Sequence, residues 1–442
     1  MKTEVVVVGG GMAGLTCALD LREAGADVVV IEAGDRPGGR VRTVTFEDGR
    51  WVETGGEWID TAHTHVHDLL ERYGLEAVGD APPWWDREAG RIEDETGLRP
   101  AGEWLDREGV RVDLERFDEL VTLFAKGIAD PAWPDLHPDA ARIDARSGAD
   151  LFDEQELGER ARFVLTRAIE FEYTCQPSEI SALFLAQQRA VELAEEASHG
   201  RVRSQRVKGG LSKLTDAMAE ELGDRLHLGQ PLVGLEHGPG GVVARTPDHE
   251  IRAAQGVLAL PLVPLRRVAV TPAFGEPLSS AIAEVGLGAV IKTFVRYPER
   301  TWSFAWIVTP RFLQRVYDAT EDQPGPSGVI DAYIGGDQAI DLGRDHPDEE
   351  DRVRSVAAEV ERMLPELAGT SVGGGSWSWS TDPNFGGSFS VWRPGQVTAH
   401  WRVLREPHGR VHLAGEHTAT VCGYVEGAVE SGRRVAARLL AG

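Results

Sequence analysis

Val5-Val6-Val7-Val8-Gly9-Gly10-Gly11-Met12-Ala13-Gly14 is the stretch on which the fold of this chain turns. Four consecutive β-branched residues suit a parallel strand buried on both faces, and the glycine run stops that strand abruptly. From Met12 to Glu23 the spacing becomes helical, and Ala26 to Ile31 is a second buried strand, so the first 35 residues form one β-α-β unit. Gly9-x-Gly11-x-x-Gly14 sits between the first strand and the helix. There Gly9 makes the turn, Gly11 lets backbone approach a pyrophosphate, and Gly14 permits close helix-strand packing, while Met12 and Ala13 open the helix whose first amides face the phosphates. Glu32 ends the second strand 18 positions after Gly14, where a carboxylate can accept hydrogen bonds from an adenosine ribose. A turn that only packs would leave that carboxylate at the end of a buried strand in need of a partner. The motif implies an adenine dinucleotide but does not choose between NAD and FAD, which share the ADP moiety.

Working outward, 442 residues with 42% hydrophobic content exceed what one core needs, so two domains are expected. The net charge of −25, from 71 acidic against 46 basic residues, argues against nucleic acid or an anionic membrane as partner; solubility is its plain reading. Cys17, Cys175 and Cys422 are odd in number and widely spaced, which supports neither a disulfide framework nor a metal site and fits a reducing cytoplasm. Met1-Lys2-Thr3 runs straight into the first strand without the features of a signal peptide, and the end at Leu439-Leu440-Ala441-Gly442 lacks a transmembrane-length apolar run. Gln230 to Leu260 reads as short strands punctuated by Gly238-Pro239-Gly240-Gly241, and a final helix runs from Gly423 to Leu440. Trp84 to Gln205 is charge-rich and helical in period, a helical insertion, whereas Gly286 to Gln396 mixes strand-like runs with glycine- and tryptophan-rich loops. Gln323-Pro324-Gly325-Pro326-Ser327-Gly328 is the expected exposed loop, and no internal repeat is found.

Glu32-Ala33-Gly34-Asp35-Arg36-Pro37-Gly38-Gly39-Arg40 resembles the second glycine motif of the amine oxidase, phytoene desaturase and protoporphyrinogen oxidase superfamily, a pattern of flavoproteins, and so selects FAD. Paired glycines let the chain pass close to the cofactor, and Arg40 can offset phosphate charge; an ordinary turn is the plainer reading of Gly38-Gly39. Val411 to Thr420 and Gly423 to Gly432 are similar to the closing motif of the flavin monoamine oxidase family. Glu53-Thr54-Gly55-Gly56-Glu57-Trp58, Pro177 to Ser181, Val207 to Gly210 and Gly288 to Lys292 follow in that family's order, so the resemblance spans residues 5 to 435. It implies an α/β fold with a Rossmann-like FAD-binding domain (1–80, 206–275 and 397–442) interleaved with an α+β substrate domain (81–205 and 276–396). It further implies that Arg36, Gly39, Gly55, Gly56, Glu57, Trp58, Trp379, Gly415, Glu416, Gly423, Tyr424 and Val425 lie along the cofactor, and that Val233 holds the adenine end through its backbone.

Lys292 lies in an otherwise apolar strand, where a lone ammonium is costly unless paired; an edge-strand lysine reaching solvent is the alternative. The resemblance gives it a water held against flavin N5, assisting reoxidation by O2. Phe389 and Tyr424 align with the family's two cage aromatics, which make a dry slot for a neutral amine, though either could be plain core. Phe389 stands where tyrosine is usual. Ser388 replaces the cysteine that bonds flavin in the mitochondrial enzymes, so the FAD is expected to be noncovalent. The implied reaction passes a hydride from the amine α-carbon to flavin N5, the imine hydrolyses to aldehyde or ketone, and dioxygen yields hydrogen peroxide. An L-amino-acid oxidase would need an arginine for the carboxylate, and Arg146, Arg162 and Arg167 in the insertion cannot be placed from sequence. A carbon–carbon desaturase and a flavin-binding protein without turnover are the remaining rivals. Trp84, Trp85, Trp302, Trp306, Trp377 and Trp392 are candidate pocket walls that hint at an apolar amine. Oligomeric state stays open, although the family's members are commonly dimers.

Overall fold

The computed structural model describes residues 1–81, 90–107 and 109–442. Lys2–Val8 is central to a largely parallel sheet, with Val28–Ile31 on one side and Glu250–Leu258 on the other; Val8 pairs with both Ile31 and Leu258. Val5 to Val8 are buried throughout, as a strand covered on both faces requires. Leu226–His227 extends the sheet beyond Val28–Ile31. Glu250–Leu258 divides its far edge between two partners: its first half pairs antiparallel with Gly241–Arg245, and its last residues pair parallel with Val411–Leu413. Gly234–Gly238 joins Gly241–Arg245 in a hairpin whose turn is the Pro-Gly cluster. The helix Met12–Glu23 packs against the sheet so closely that a β-carbon on Gly14 would lie 1.9 Å from the carbonyl oxygen of Gly9. The helix Val425–Ala441 packs on that same helix and so returns the end of the chain to the phosphate turn.

A second sheet runs in the order Gly374–Ser378, Val290–Tyr297, Gly328–Gly335, Arg315–Asp318, Trp306–Val308, Gly90–Asp94, Gly97–Pro100. Val290–Tyr297 has neighbours on both sides, with Lys292 opposite Tyr333 and Trp377, so the lysine is not on an edge strand. Side chains alternate along it. Ile291, Val295 and Tyr297 share a core with Val356 and Val360 of the helix Glu349–Met363, while Val290 and Lys292 reach the cavity described below.

Two segments differ from the sequence reading. The insertion does form the helices Val110–Ala125, Glu159–Tyr173 and Ala182–His199, but Gly90–Asp94 and Gly97–Pro100 form a hairpin that enlarges the second sheet. Its run Arg91-Ile92-Glu93-Asp94 carries a single apolar residue, Ile92, so no alternation marked it as strand. In the loop 323–328, Pro324 to Pro326 are exposed, but Gln323 is buried, its amide donating to the carbonyl of Trp51 (2.8 Å) and accepting from its N–H (3.1 Å). Trp84 and Trp85 lie outside the described residues.

Candidate active site

A single cavity of about 540 Å³ joins the phosphate turn of the first sheet to Lys292 of the second. Gly9, Gly11, Met12, Ala13, Glu32, Gly39 and Arg40 line it beside the β-α-β unit, and Gly55, Gly56, Glu57, Trp58, Trp379, Gly415, Glu416, Gly423 and Val425 line it further along. Phe389 and Tyr424 line it together with Phe171, Glu172, Tyr173, Phe184, Tyr317 and Tyr333. Gly14 does not reach the cavity, because it packs the helix on the strand.

The two glycine turns face each other. A β-carbon on Gly11 would meet only the α-carbon of Gly39, at 3.9 Å, so the space in front of the helix Met12–Glu23 is left open. The first amides of a helix have no intrahelical acceptor, and here no side chain caps them. Glu32 accepts from the N–H groups of Gly10 and Gly34, each at 2.7 Å, and a carboxylate with two such bonds retains acceptor capacity for ribose hydroxyls. Arg36 does not line the cavity: it donates to the carbonyls of Pro37, Gly39 and Val41, and so holds the second glycine turn in shape. Arg40 pairs with Glu416 at 3.0 Å and also donates to the carbonyl of Ser388. Burial pushes the carboxyl of Glu416 up, but Arg40, His417 and the Ser390 hydroxyl outweigh that and leave it below the usual glutamate value. Trp379 donates from Nε1 to the carbonyl of Thr54 at 2.6 Å, which fixes its ring against the Thr54-Gly55-Gly56 segment.

Val233 is less available than the resemblance implies. Its N–H donates to Arg245 (2.8 Å) and its carbonyl accepts from Ala269 (3.3 Å), so both backbone groups are drawn into the sheet. Leu232, one position earlier, also lines the cavity, and among the described residues its backbone makes no such pairing.

Lys292 is buried but not alone. Its Nζ donates to the carbonyl of Glu53 (2.7 Å) and to Glu57 (2.6 Å), and lies 3.1 Å from Asp331, which accounts for all three of its protons. Glu57 also pairs with Arg206 at 3.1 Å, and Arg206 in turn pairs with Asp322 at 3.2 Å, so Glu57 is shared between two cations. Burial would lower the lysine pKa, yet Asp331 and Glu57 raise it above its ordinary value. It is therefore a fixed cation and not a base at neutral pH, and a water on it would have to compete with these partners. Tyr317 lies 2.8 Å from Glu57 and 2.6 Å from Asp331 but has one proton to donate. Burial pushes Asp331 up to about 6, in keeping with partial protonation that would satisfy the second contact.

Phe389 packs on Gly423, where a β-carbon would meet its ring at 3.3 Å, and Tyr424 follows directly. The Tyr424 ring sits edge-on to His63, centroids 5.5 Å apart, and its hydroxyl donates to Glu172. Ser388, beside Phe389, is buried and hydrogen-bonded to Thr174 (2.7 Å) and to the carbonyl of Gly288 (3.0 Å). Trp302, Trp306, Trp377 and Trp392 do not line the cavity; they are packed in the cores of the two sheets and their helices. Arg146, Arg162 and Arg167 pair with Glu154, Asp153 and Glu170 and do not line it either.

The family described as flavin containing amine oxidoreductase matches residues 12–440. The chain belongs to that family. Amine oxidase [flavin-containing] B of Sus scrofa is 28% identical over 456 residues, covering 99% of this chain and 86% of the relative. Amine oxidase [flavin-containing] of Danio rerio is 27% identical over 476 residues, covering 99% and 85%. Among solved structures, wild-type putrescine oxidase bound to putrescine superimposes with a TM-score of 0.88 at 24% identity, covering 100% of both chains. Cyclohexylamine oxidase from Brevibacterium oxydans gives 0.87 at 23%, covering 99% and 98%. These likenesses show the shared fold, and family membership makes the protein a flavin-dependent amine oxidoreductase. Against that background, Arg206, Tyr317, Asp331, Glu172 and Leu232 are the residues that sequence reasoning missed. Asp331 carried the same signal as Lys292, a charge inside a buried apolar strand, Gly328–Gly335. Glu172 carried none, since a glutamate near the end of a charged helix reads as surface.

Proposed function

We propose that the protein binds FAD noncovalently and oxidises primary or secondary amines that carry no carboxylate, with dioxygen as acceptor. The observation that supports this most is the one cavity that runs from both glycine turns to Phe389, Tyr424 and Lys292. The residues present fit the cofactor: the open space between Gly11 and Gly39 would take the pyrophosphate, Glu32 the ribose, Leu232 the adenine end, and the Arg40–Glu416 pair the ribityl-phosphate region. When bound, FAD supplies a hydride acceptor at N5 and the means of reducing dioxygen to hydrogen peroxide.

The chain's own residues do the rest. Phe389 and Tyr424 exclude water, and a desolvated slot favours the neutral amine over its ammonium. Lys292, kept charged by Glu57 and Asp331, presents a fixed hydrogen-bonded cation on the cavity wall and does not act as a base. Glu172 disfavours a substrate carboxylate, and among the described residues the arginines that line the cavity are Arg40 and Arg267, of which Arg40 is engaged by Glu416. This favours amine over amino-acid substrates. The Cys422 thiol is buried against Ser390 and Glu416, and burial pushes its pKa far up, so neither it nor Ser388 offers a thiolate for a flavin bond. Three free, buried thiols are compatible with the cytoplasm, where we place the protein. We assign the cofactor part to 1–80, 206–275 and 397–442 and the substrate part to 81–205 and 276–396.

The test is an absorption spectrum before and after acid precipitation, then a panel of amines scored for peroxide. A yellow supernatant and peroxide from an amine are expected; protein that cannot be reconstituted with FAD overturns the proposal.

A further inference from the structure

Glu172 is a cavity-lining carboxylate that the reaction above leaves unused. It sits one residue from the end of the helix Glu159–Tyr173, between Phe171 and Tyr173, whose side chains line the same cavity. Among the described residues its one hydrogen bond comes from the Tyr424 hydroxyl. A carboxylate can accept about four hydrogen bonds, so most of its capacity is unused among the described residues. Burial pushes it up to about 7; the Tyr424 bond opposes that, the charges of Glu192 and Asp60 add to it, and Arg315 draws it back. A carboxylate enclosed among aromatic rings is costly unless a cation completes it. Its place is fixed relative to the chemistry, because the same Tyr424 ring that would flank the reacting nitrogen ends in the hydroxyl bound to Glu172.

We propose that Glu172 is an anionic subsite for a second, protonated amino group of the substrate, so that the preferred substrates are diamines or aminoalkyl amines with one nitrogen in the aromatic slot and the other on Glu172. The proposal rests on the amine-oxidising reading above and names its substrate class. The reacting nitrogen is neutral and the distal one charged, which an apolar slot beside a carboxylate selects in one substrate.

The test compares butane-, pentane- and hexane-diamines with monoamines of equal length, in the holoenzyme and in Glu172→Gln. In the wild type at pH 8 the best diamine should exceed its monoamine by about 30-fold or more in kcat/KM, chiefly through KM, as for loss of a buried charge pair. In Glu172→Gln the ratio should fall towards unity. The wild type alone provides a second readout. Glu172 is faced by Tyr424, Tyr173, Tyr333, Glu192, Asp60 and Arg315, and its own carboxyl is pushed up to about 7, so the diamine-to-monoamine ratio should rise with pH through about 7. The bound second ammonium moves that rise to lower pH. An equal ratio in both proteins, or a wild-type ratio flat from about pH 5 to 8, overturns the subsite while leaving amine oxidation intact. Peroxide from neither class overturns the oxidase reading and the subsite together.

Discussion

Replacing Lys292 by methionine tests the electrostatic account of the cavity wall. The side chain is of similar length and apolar, so the change removes charge and little volume. It leaves Glu57 with Arg206, which Asp322 also engages, and takes from Asp331 the cation it is paired with. Removing one member of a buried ion pair costs about 3–5 kcal/mol, and for a chain this large that is on the order of 3–5 °C in melting temperature. Asp331 is already raised to about 6 in the folded protein, above its unfolded value, so it binds more protons folded than unfolded and its burial costs stability above that pH. Without the lysine its pKa rises further. The penalty of Lys292→Met should therefore be larger at pH 8 than at pH 5.5, shrinking as the pH falls from the variant's raised Asp331 pKa towards the wild-type value of about 6. Thermal melting of the holoprotein at pH 8 and pH 5.5 reads this directly. The double variant Lys292→Met/Asp331→Asn removes the carboxylate left without its cation and should be less destabilised at pH 8 than Lys292→Met alone. A melting temperature of Lys292→Met within about 1 °C of wild type at pH 8, or a double variant that merely adds the two single losses, refutes the stabilising Lys292–Asp331 pairing.

Gly11→Ala should weaken FAD binding by about tenfold or more without lowering the melting temperature of the FAD-free protein. Gly11 has φ −79°, which alanine adopts freely, and its β-carbon would meet only the open space before Gly39; isothermal titration with FAD and melting of the apoprotein measure the two effects separately. Glu416→Gln should cost about 1.5–3 kcal/mol at neutral pH through the lost charged bonds to Arg40, Ser390 and Gly423. Because the folded pKa of Glu416 is depressed, its contribution is present above the unfolded glutamate value and lost as pH falls through the folded one, so the melting temperatures of variant and wild type should converge below about pH 4.5. Cys422→Ala should leave all of the flavin in the acid supernatant, as in the wild type; flavin retained in the wild-type pellet and released by the substitution would contradict the noncovalent assignment.

The parts of the fold that could be read from sequence are those whose physics is local. Val5 to Gly14 states a buried strand, a turn and a helix within ten residues, and Glu32 follows within the same β-α-β unit. Lys292 was legible as an anomaly, because a charge in an apolar strand demands a reason, but its partners were not. Glu57, Asp331 and Arg206 come from separate strands and loops that meet only when the second sheet has formed. The tryptophans misled for a related reason: abundance marks a side chain as large and apolar but does not say whether it faces core or cavity, and Trp392, fully buried against Trp401, faces core. Val233 and Leu232 both line the cavity, and residue spacing does not show that the Val233 N–H and carbonyl are engaged by Arg245 and Ala269 while those of Leu232 make no such pairing among the described residues. Glu172 marks the furthest reach of the argument. Nothing in its helix distinguishes it from the neighbouring Glu170, which Arg167 and Gln176 engage, until the cavity places one carboxylate under Tyr424 and the other away from it. Specificity in such a fold therefore depends on which turn of a helix faces the cavity, a property of packing that residue spacing alone does not encode.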